Sequence, residues 1–487
     1  MRTVTGRTDS VVVVGAGLGG LSAALRLAGA GREVTVVERA PVPGGRAGLL
    51  EVGGYRFDTG PTVLTMPSLI EDALACVDER VDDWLDLQPL DPAYRAFFPD
   101  GTQLDVIADV DRMSAEVAAL CGPREADGYR RYADYARRLF ELERHAFMDR
   151  NLDSPLSLLT PALARLVAMG GLGRLAPKVG SFMRDPRLRR VFSFQALYAG
   201  LSPYDARALY CSISYLDAVA GVWFPVGGMH AVPAALAGAA QKHGVDLRLG
   251  AEVVRVERRG ARATAVQTAD GERIAADVVV LNTDLATTWR LLGLSPRPLH
   301  WAPSCLLVVV GTDAHYPKAA HHNLHFGAAW RRTLRELSQG RLLSDPSLLV
   351  SIPTATDPAL APPRRSLLAT VALVPNLHTP LDWSTLASRY RDEVLARLEQ
   401  FGYVGLADAV QVEHVMTPVD WAGQGLAAGT PFSATHQFSQ TGPFRTGNLP
   451  LDNVVLAGCG THPGVGVPTA LMSGRLAAER VVGPGVR

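Results

Sequence analysis

The sequence predicts an α/β fold, and three separated stretches of the chain carry that prediction. Near the start, the β-branched run Val11–Val14 leads into a glycine turn, an apolar helix and a second strand that ends at Glu38. Similar strand–turn–helix patterns recur within residues 221–290 and again within 452–482. Because apolar strands that alternate with helices form parallel sheets, we expect the three stretches to join in one Rossmann-like nucleotide-binding domain.

The segment from Gly15 to Gly20 has the spacing of a dinucleotide-binding turn. Gly15 allows the sharp bend, Gly17 lets the backbone approach a pyrophosphate, and Gly20 lets the helix pack against the strand. The start of the helix, around Leu18, offers free N–H groups to the phosphates. Glu38, at the end of the second strand, can accept hydrogen bonds from a ribose diol.

The residues after the second strand distinguish between the nicotinamide and flavin dinucleotides. A nicotinamide-dependent dehydrogenase usually continues into another strand–helix unit, whereas here a second glycine pair precedes Arg46. This pair favours a backbone that runs back across the pyrophosphate, with Arg46 near the flavin end; the alternative is an ordinary turn with a surface arginine. Residues 53–62 predict a hairpin that enters the site through Gly60 and Pro61. The pattern resembles the glutathione-reductase-like flavoproteins of the amine oxidase and carotenoid desaturase type, which implies FAD.

Composition argues against several classes of protein. Lys plus Arg and Asp plus Glu both number 48, a balance that argues against a dedicated nucleic-acid-binding protein. The 5 cysteines are scattered without a C-x-x-C pair, which fits a reducing compartment rather than a disulfide framework or a zinc site. A metal site can be imagined at His321, His322 and His325, but no acidic stretch adjoins them. We therefore expect packed or solvated histidines and no metal.

Two apolar stretches imitate targeting or membrane segments. Residues 1–30 look like a secretory signal, but they also build the dinucleotide fold, so we expect no cleavage and a cytoplasmic protein. Residues 453–474 carry no charged residue over a length that nearly spans a bilayer. Their glycines and prolines predict a strand, a turn and a helix start instead.

We predict a discontinuous FAD-binding domain formed by residues 1–75, 221–290 and 446–487. Residues 76–220, mainly helical, and residues 291–445, which mix strands with one clear helix near 384–401, are expected to form an inserted α+β substrate domain. Short alternating strands between 245 and 268, with a turn at Asp270-Gly271, predict a small antiparallel meander.

One segment of the first insertion combines apolar and basic residues. Residues 154–184 contain no Asp or Glu, and many leucines alternate there with Arg165, Arg174, Lys178 and Arg184. Such a segment can lie on anionic lipid, which predicts peripheral association with the inner face of the cell membrane. The alternative is an ordinary amphipathic helix pair that packs on the core.

The stretch from Asn453 to Pro468, with its Gly-Thr-His-Pro-Gly run, resembles the C-terminal signature of bacterial phytoene desaturases. Residues 55–66, 192–200 and 221–229 are also similar to that family, so the resemblance covers nearly the whole chain. It implies an FAD-dependent oxidoreductase that desaturates a C40 polyene, phytoene towards lycopene-type products, by hydride transfer to flavin. It also implies quinone or oxygen as the electron acceptor.

The resemblance implies a role for each cofactor-binding residue. The glycine turn would hold the pyrophosphate, Glu38 the ribose and Arg46 the phosphates and ring. Val253 would pair its backbone with adenine, and Gly466 with Val467 would begin the helix that faces the flavin. One departure is that Gly458 is followed by a cysteine, not by the acid that holds the ribityl chain in many amine oxidases. The complete predicted set is Gly15, Gly17, Leu18, Gly20, Glu38, Arg39, Gly45, Arg46, Gly60, Pro61, Val253, Asp284, Gly458, Gly466 and Val467.

The sequence does not identify a catalytic residue. Acid–base residues proposed for some relatives fall in the region of 154–166, where Arg165 is the only ionisable group. His462 is a candidate proton acceptor; the alternative is that it orders its own turn. Three aromatic residues could line a substrate tunnel or belong to the core: Tyr198, Trp223 and Phe224.

Several functions compete with phytoene desaturation. Within the family they are carotenoid isomerase, ketolase and desaturase of a modified carotene. Outside it they are a flavin amine oxidase and a GDP-dissociation inhibitor that binds prenylated proteins without flavin. The intact glycine turn and Glu38 argue against the inhibitor, and the Gly-Thr-His-Pro-Gly run argues against the amine oxidase.

Overall fold

A computed structural model describes residues 1–485. Its strands are β1 (Ser10–Val14), β2 (Glu33–Val37), β3 (Leu49–Val52), β4 (Tyr55–Asp58), β5 (Leu87–Pro89), β6 (Tyr94–Phe97), β7 (Gln103–Val106), β8 (Trp223–Pro225), β9 (Asp246–Arg248), β10 (Val253–Arg259), β11 (Arg262–Thr268), β12 (Arg273–Ala275), β13 (Val278–Leu281), β14 (Ser304–Thr312), β15 (His322–His325), β16 (Leu348–Ser351), β17 (Ser366–Val374), β18 (Val410–Met416) and β19 (Val454–Leu456).

The helices are α1 (Leu18–Gly29), α2 (Ser68–Leu74), α3 (Val110–Cys121), α4 (Pro123–Glu143), α5 (Pro161–Ala168), α6 (Leu175–Phe182), α7 (Pro186–Val191), α8 (Cys211–Tyr215), α9 (Ala231–Lys242), α10 (Leu285–Leu292), α11 (Trp330–Ser338), α12 (Trp383–Gln400), α13 (Leu406–Ala409), α14 (Pro418–Gly423) and α15 (Val467–Val482). Two π-helical turns, Arg144–Met148 and Leu216–Ala220, directly follow α4 and α8.

A five-stranded parallel sheet in the order β19-β13-β1-β2-β9 forms the nucleotide-binding half. The four valines of β1 are buried because α1, α9 and α15 cover one face of the sheet, and β10 and β11 with α10 cover the other. Helix α1 packs against α15, so the first and last predicted segments meet. The predicted α/β fold with a Rossmann-like sheet is therefore confirmed.

The predicted antiparallel meander is smaller than expected. Strands β10, β11 and β12 form it, and the Asp270-Gly271 turn joins the last two. The stretch near 245–249 was wrongly included, because β9 pairs in parallel with β2. A strand that follows a helix such as α9 can complete a parallel crossover, and alternation of side chains alone does not reveal this.

A seven-stranded mixed sheet in the order β18-β14-β17-β16-β15-β6-β7 forms the core of the other half. Both insertions contribute, since β6 and β7 come from the first and the remaining strands from the second. Strand β14 is buried along its whole length. Helix α12 matches the helix predicted near 384–401, whereas β5, β6 and β7 were missed in the region read as mainly helical. These strands have only three or four residues, too few to establish a periodicity.

Residues 154–184 are partly packed on the core and partly exposed. Helices α5 and α6 pack inward through Leu166, Leu175 and Val179, which are buried. In contrast, Leu156 and Leu159 are 74% and 73% exposed. Within residues 1–485, no helix is both long enough and apolar enough to cross a bilayer.

Candidate functional site

The glycine turn and the second glycine loop lie against each other. Gly17 and Gly44 form a parallel bridge, and the Gly44 N–H donates to the Ala16 carbonyl at 2.9 Å. A side chain at Gly20 would overlap the Gly15 carbonyl oxygen, so this glycine is required for helix packing. The loop thus runs back across the turn, as its sequence predicted.

The carboxylate of Glu38 is fixed beside the turn. The Ala16 N–H donates to its Oε2 at 2.8 Å, and the Ala40 N–H donates to its Oε1 at 2.9 Å. Glu38 is buried but borders the cleft. Its outer lone pairs can accept hydrogen bonds from a diol there.

Arg46 and Asp284 form an ion pair in the lining of the cleft. Arg46 Nη2 lies 2.9 Å from Asp284 Oδ2, and Asp284 also caps α10 by accepting the Ala286 N–H. The Nε of Arg46 is buried without a hydrogen-bond partner. A side chain at Gly60 would overlap the Arg46 carbonyl oxygen, so Gly60 sets how closely the hairpin approaches this loop.

Two glycines position the start of α15 at the same cleft. The Gly458 N–H donates to Ser473 Oγ at 2.7 Å, which ties the turn after β19 to the helix. Gly466 precedes the helix, whose first residue is Val467. The unpaired N–H groups and positive dipole end of α15 therefore face the cleft.

Every residue of the predicted cofactor set lines one cleft, except Gly20, which packs beneath it. Arg39 lies at the exposed edge, where its guanidinium donates to the Gln424 carbonyl on the opposite wall. Val253 and Pro61 also border the cleft. The geometry brings together residues from three segments of the chain that lie far apart in sequence.

This cleft continues into an apolar chamber, and together they form a cavity of about 1780 Å³. The chamber lies between the seven-stranded sheet and the helices of the first insertion. Tyr198 lines it, whereas Trp223 and Phe224 do not and Phe224 belongs to the core. Other lining side chains are Leu163, Leu166, Phe194, Ile213, Leu307, Leu324, Phe326, Trp330, Val371, Leu373 and Trp421.

Two buried acids in the chamber wall were missed in the sequence. Burial raises the pKa of Glu143 to about 8, and its Oε1 has no hydrogen-bond partner. Burial also raises the pKa of Asp217 to about 7, although the hydrogen bond from Tyr94 and the nearby Tyr198 hydroxyl oppose that shift. Asp217 is the single charged residue between Arg207 and His230 in the sequence, an isolation that could have identified it.

His462 borders the cavity, but a different residue orders its turn. Its Nε2–H donates to the Phe147 carbonyl at 2.9 Å, and burial lowers its pKa to about 4. Arg445 is buried and donates to the carbonyls of Cys459 and Thr461 at 2.6 and 3.1 Å. The arginine, which the sequence did not single out, thus holds the C-terminal turn.

The three clustered histidines pack in the seven-stranded sheet. His321, His322 and His325 are buried, and burial lowers the pKa of each. His325 stacks between Phe97 and Phe401 with ring centroids 4.6 Å from each. Across residues 1–485, no group of three potential ligands is arranged to hold a metal ion.

The cleft fits a flavin dinucleotide. Two glycine loops lie against each other there, Glu38 supplies a fixed carboxylate, and Arg46 keeps an unpartnered buried Nε, which together suit phosphates and a ribose diol. The positive end of α15 complements the electron-rich N1–C2=O edge of a reduced flavin. Fold and site together define a flavoprotein oxidoreductase of the glutathione-reductase type.

The chain belongs to the flavin containing amine oxidoreductase family, whose model matches residues 18–482, and within that family to the phytoene desaturases. It is 57% identical to a phytoene dehydrogenase of Streptomyces griseus, over 99% of this chain and 97% of the relative. It is 35% identical to a zeta-carotene-forming phytoene desaturase of Myxococcus xanthus, over 97% and 93%. A 4,4'-diapolycopene oxygenase of Methylomonas is 31% identical, over 97% and 98%.

Solved structures share the fold at low sequence identity. An oxidoreductase from Methanosarcina mazei superposes with a TM-score of 0.64 at 18% identity, over 96% of this chain and 99% of its own. Putrescine oxidase gives 0.60 at 15%, over 97% and 98%. A Rab GDI from Plasmodium falciparum gives 0.57 at 12%, over 98% of both chains. These likenesses establish the architecture and do not distinguish between the functions.

Proposed function

We propose that the cleft binds FAD and that the protein desaturates a C40 polyene, phytoene towards lycopene-type products, in carotenoid biosynthesis. The observation that carries the proposal is the single cavity that joins the dinucleotide cleft to an apolar chamber. A hydrocarbon gives an enzyme no polar group to bind, so shape and apolar area must hold it. Curated relatives named as phytoene dehydrogenase and phytoene desaturase support this substrate class.

The cofactor-binding domain in this proposal consists of residues 1–75, 221–290 and 446–487. The glycine turn would hold the pyrophosphate, Glu38 the adenosine ribose and Val253 the adenine. Arg46, fixed by Asp284, would lie by the phosphates and the ring. When bound, the flavin supplies a two-electron oxidant that accepts hydride.

The chain's own contribution is orientation and the exclusion of water. Leucine, valine and aromatic side chains from both insertions, residues 76–220 and 291–445, enclose the chamber. A dry chamber prevents side reactions of a partly oxidised polyene. The intact nucleotide cleft disfavours a GDP-dissociation inhibitor, although the fold is shared. An isomerase, a ketolase or a desaturase of a modified carotene is disfavoured by the 57% identity to a phytoene dehydrogenase.

We further propose that the cavity opens onto a membrane. Four exposed apolar side chains form the mouth cluster: Leu156, Leu159, Phe438 and Phe444. Three of them also line the cavity, and Phe438 and Phe444 contact each other with ring centroids 5.7 Å apart. Exposed Arg165, Arg174 and Arg184 lie on the adjoining acid-free segment, so charge complementarity points to anionic lipid.

This arrangement would let the polyene pass from the bilayer into the chamber without crossing water. In this proposal the protein lies at the cytoplasmic, inner face of the cell membrane, where a quinone in the bilayer or dissolved oxygen reoxidises the flavin. Two observations support the placement, namely the exposed mouth cluster and its basic surroundings.

The test is expression in a bacterial host that accumulates phytoene, followed by pigment chromatography. We expect phytoene to be consumed and more unsaturated carotenes to form. In parallel, heat denaturation of the purified protein should release FAD, identified by its chromatographic mobility against FMN. Unchanged phytoene would refute the reaction, and a colourless protein without extractable flavin would revive the inhibitor-like alternative.

A further inference from the structure

The chamber wall contains a carboxyl group that binding of a hydrocarbon does not require. Asp217 lines the cavity and is 3% exposed. Burying an ionisable group in apolar surroundings costs several kcal/mol unless hydrogen bonds or protonation compensate. A polyene has no donor for a carboxylate. The position therefore calls for a role in chemistry rather than in recognition of the substrate.

Local structure holds Asp217 in one place. It lies in the π-helical turn Leu216–Ala220, and such turns occur frequently at functional sites. The Tyr94 hydroxyl donates to Asp217 Oδ2 at 3.1 Å. The Tyr198 hydroxyl is buried beside the same carboxylate, has no hydrogen-bond partner of its own, and belongs to a residue that lines the chamber.

The same segment is tied to the predicted flavin loop. Six residues after Asp217, the Trp223 N–H donates to the Leu64 carbonyl at 2.8 Å. Leu64 directly follows the stretch that contains Gly60 and Pro61, which borders the cofactor cleft. The carboxylate thus stands on a wall that is continuous with the cofactor cleft.

We propose that Asp217 is the proton acceptor of the desaturation, an inference that rests on the proposed function. One substrate carbon gives up a hydrogen with its electron pair to the oxidised flavin. The C–H electron pair on the adjacent carbon becomes the new π bond, and its proton passes to Asp217. The substrate loses two hydrogen nuclei and two electrons in all. One nucleus leaves with both electrons as hydride, for which a bound flavin would be the acceptor, and the other leaves as the proton that converts the carboxylate to a carboxylic acid.

Other titratable groups on the wall fit this role less well. Burial raises the pKa of Glu143 to about 8, so at neutral pH it already carries a proton, and no donor stabilises its Oε1. Burial lowers the pKa of His462 to about 4, which makes it a weak base. Asp217 has a phenol donor to stabilise its anion, and its pKa near 7 makes it a stronger base than an ordinary carboxylate.

The test compares Asp217→Asn with Glu143→Gln in the flavin-loaded protein. A positioned general base contributes roughly 10²–10⁴-fold, so we expect Asp217→Asn to lower the desaturation rate at least about 100-fold. Glu143→Gln should cost less than about tenfold. Asp217→Glu, which keeps a carboxylate, should recover part of the rate.

Two readouts do not depend on turnover. Bound flavin per chain and lycopene binding, followed by quenching of Trp330 and Trp421 in the cavity wall, should match wild type in Asp217→Asn. Infrared difference spectra should contain a carboxylic acid band of Asp217 that is absent from Asp217→Asn but retained in Glu143→Gln. Should Asp217→Asn not fold, Tyr94→Phe should slow turnover and shift that band's titration upwards.

The outcomes separate the two proposals. If the wild-type protein binds flavin but leaves phytoene unchanged, the proposed function itself is refuted. Wild type that converts phytoene, with an equally active Asp217→Asn, would overturn only the role of Asp217. A rate loss accompanied by lost flavin or lost lycopene binding would assign Asp217 a structural role instead, and a dominant effect of Glu143→Gln would transfer the role to Glu143.

Discussion

Replacing the two leucines of the mouth cluster, Leu156 and Leu159, with polar residues should weaken binding of the protein to membranes. Complete burial of a leucine side chain is worth about 1.5–3 kcal/mol. Leu156 and Leu159 are 74% and 73% exposed, so each has about three-quarters of its surface available for burial in lipid. Together they would contribute about 2–4 kcal/mol, and we expect Leu156→Gln/Leu159→Gln to weaken partitioning at least about 30-fold.

The assay is flotation with vesicles of phosphatidylcholine and phosphatidylglycerol at low ionic strength. Val404→Gln is the matched control, because Val404 is 77% exposed but lies in the turn after α12, outside the mouth cluster. Flavin content and thermal stability should be unchanged in both variants. Equal flotation of the double variant and the control would refute the assigned docking surface.

Three further predictions concern the cleft and the buried acids. Gly60→Ala should lower flavin occupancy in the purified protein, because the added Cβ would overlap the Arg46 carbonyl oxygen. Gly447→Ala, whose Cβ would enter open space, is the control and should retain the flavin. Equal occupancy in the two variants would contradict a close approach of the hairpin to the Arg46 loop. Glu143 keeps its proton in the folded state up to pH about 8, so its burial destabilises the fold increasingly as pH rises from about 4.5. Glu143→Gln should therefore gain about 3 kcal/mol over wild type at pH 7, measured as a stability difference that disappears near pH 4.5. The desaturation rate should rise with pH through about 7, because only ionised Asp217 accepts a proton. The neighbouring Tyr94 and Tyr198 do not titrate there, since their pKa values lie well above that range. A rate that does not change with pH would contradict the role of Asp217.

The nucleotide cleft could be predicted because its signals are local. A buried strand, a glycine turn and a helix occupy adjacent residues. The spacing from Gly15 to Glu38 is typical of a single strand–turn–helix–strand unit. The same pattern at two later places predicted that these segments join the sheet, where β13 pairs with β1 and β19 pairs with β13. These elements are regular strands and helices, which the residue types and the periodicity of apolar residues predict well.

The chamber wall could not be predicted, because its contacts join residues far apart in sequence. Strand β6 pairs with β15 across more than 200 residues, and only this pairing brings Tyr94 and His322 to a ring separation of 5.5 Å. Asp217 becomes buried only after the sheet and the helices of the first insertion close around it. In the sequence only its isolation among uncharged residues distinguishes it, and nothing local indicates its tyrosine partner.

The division of the cleft between Gly15 and Gly466 bears on when the cofactor can be captured during biosynthesis. A ribosome that adds about 5–20 residues per second synthesises the Gly466 side of the cleft roughly 20–90 s after the Gly15 side. Until α15 emerges and packs on α1, the nucleotide has only one side of its site. In the proposed FAD site, flavin loading therefore follows the synthesis of α15, and a chain truncated before β19 should purify without flavin.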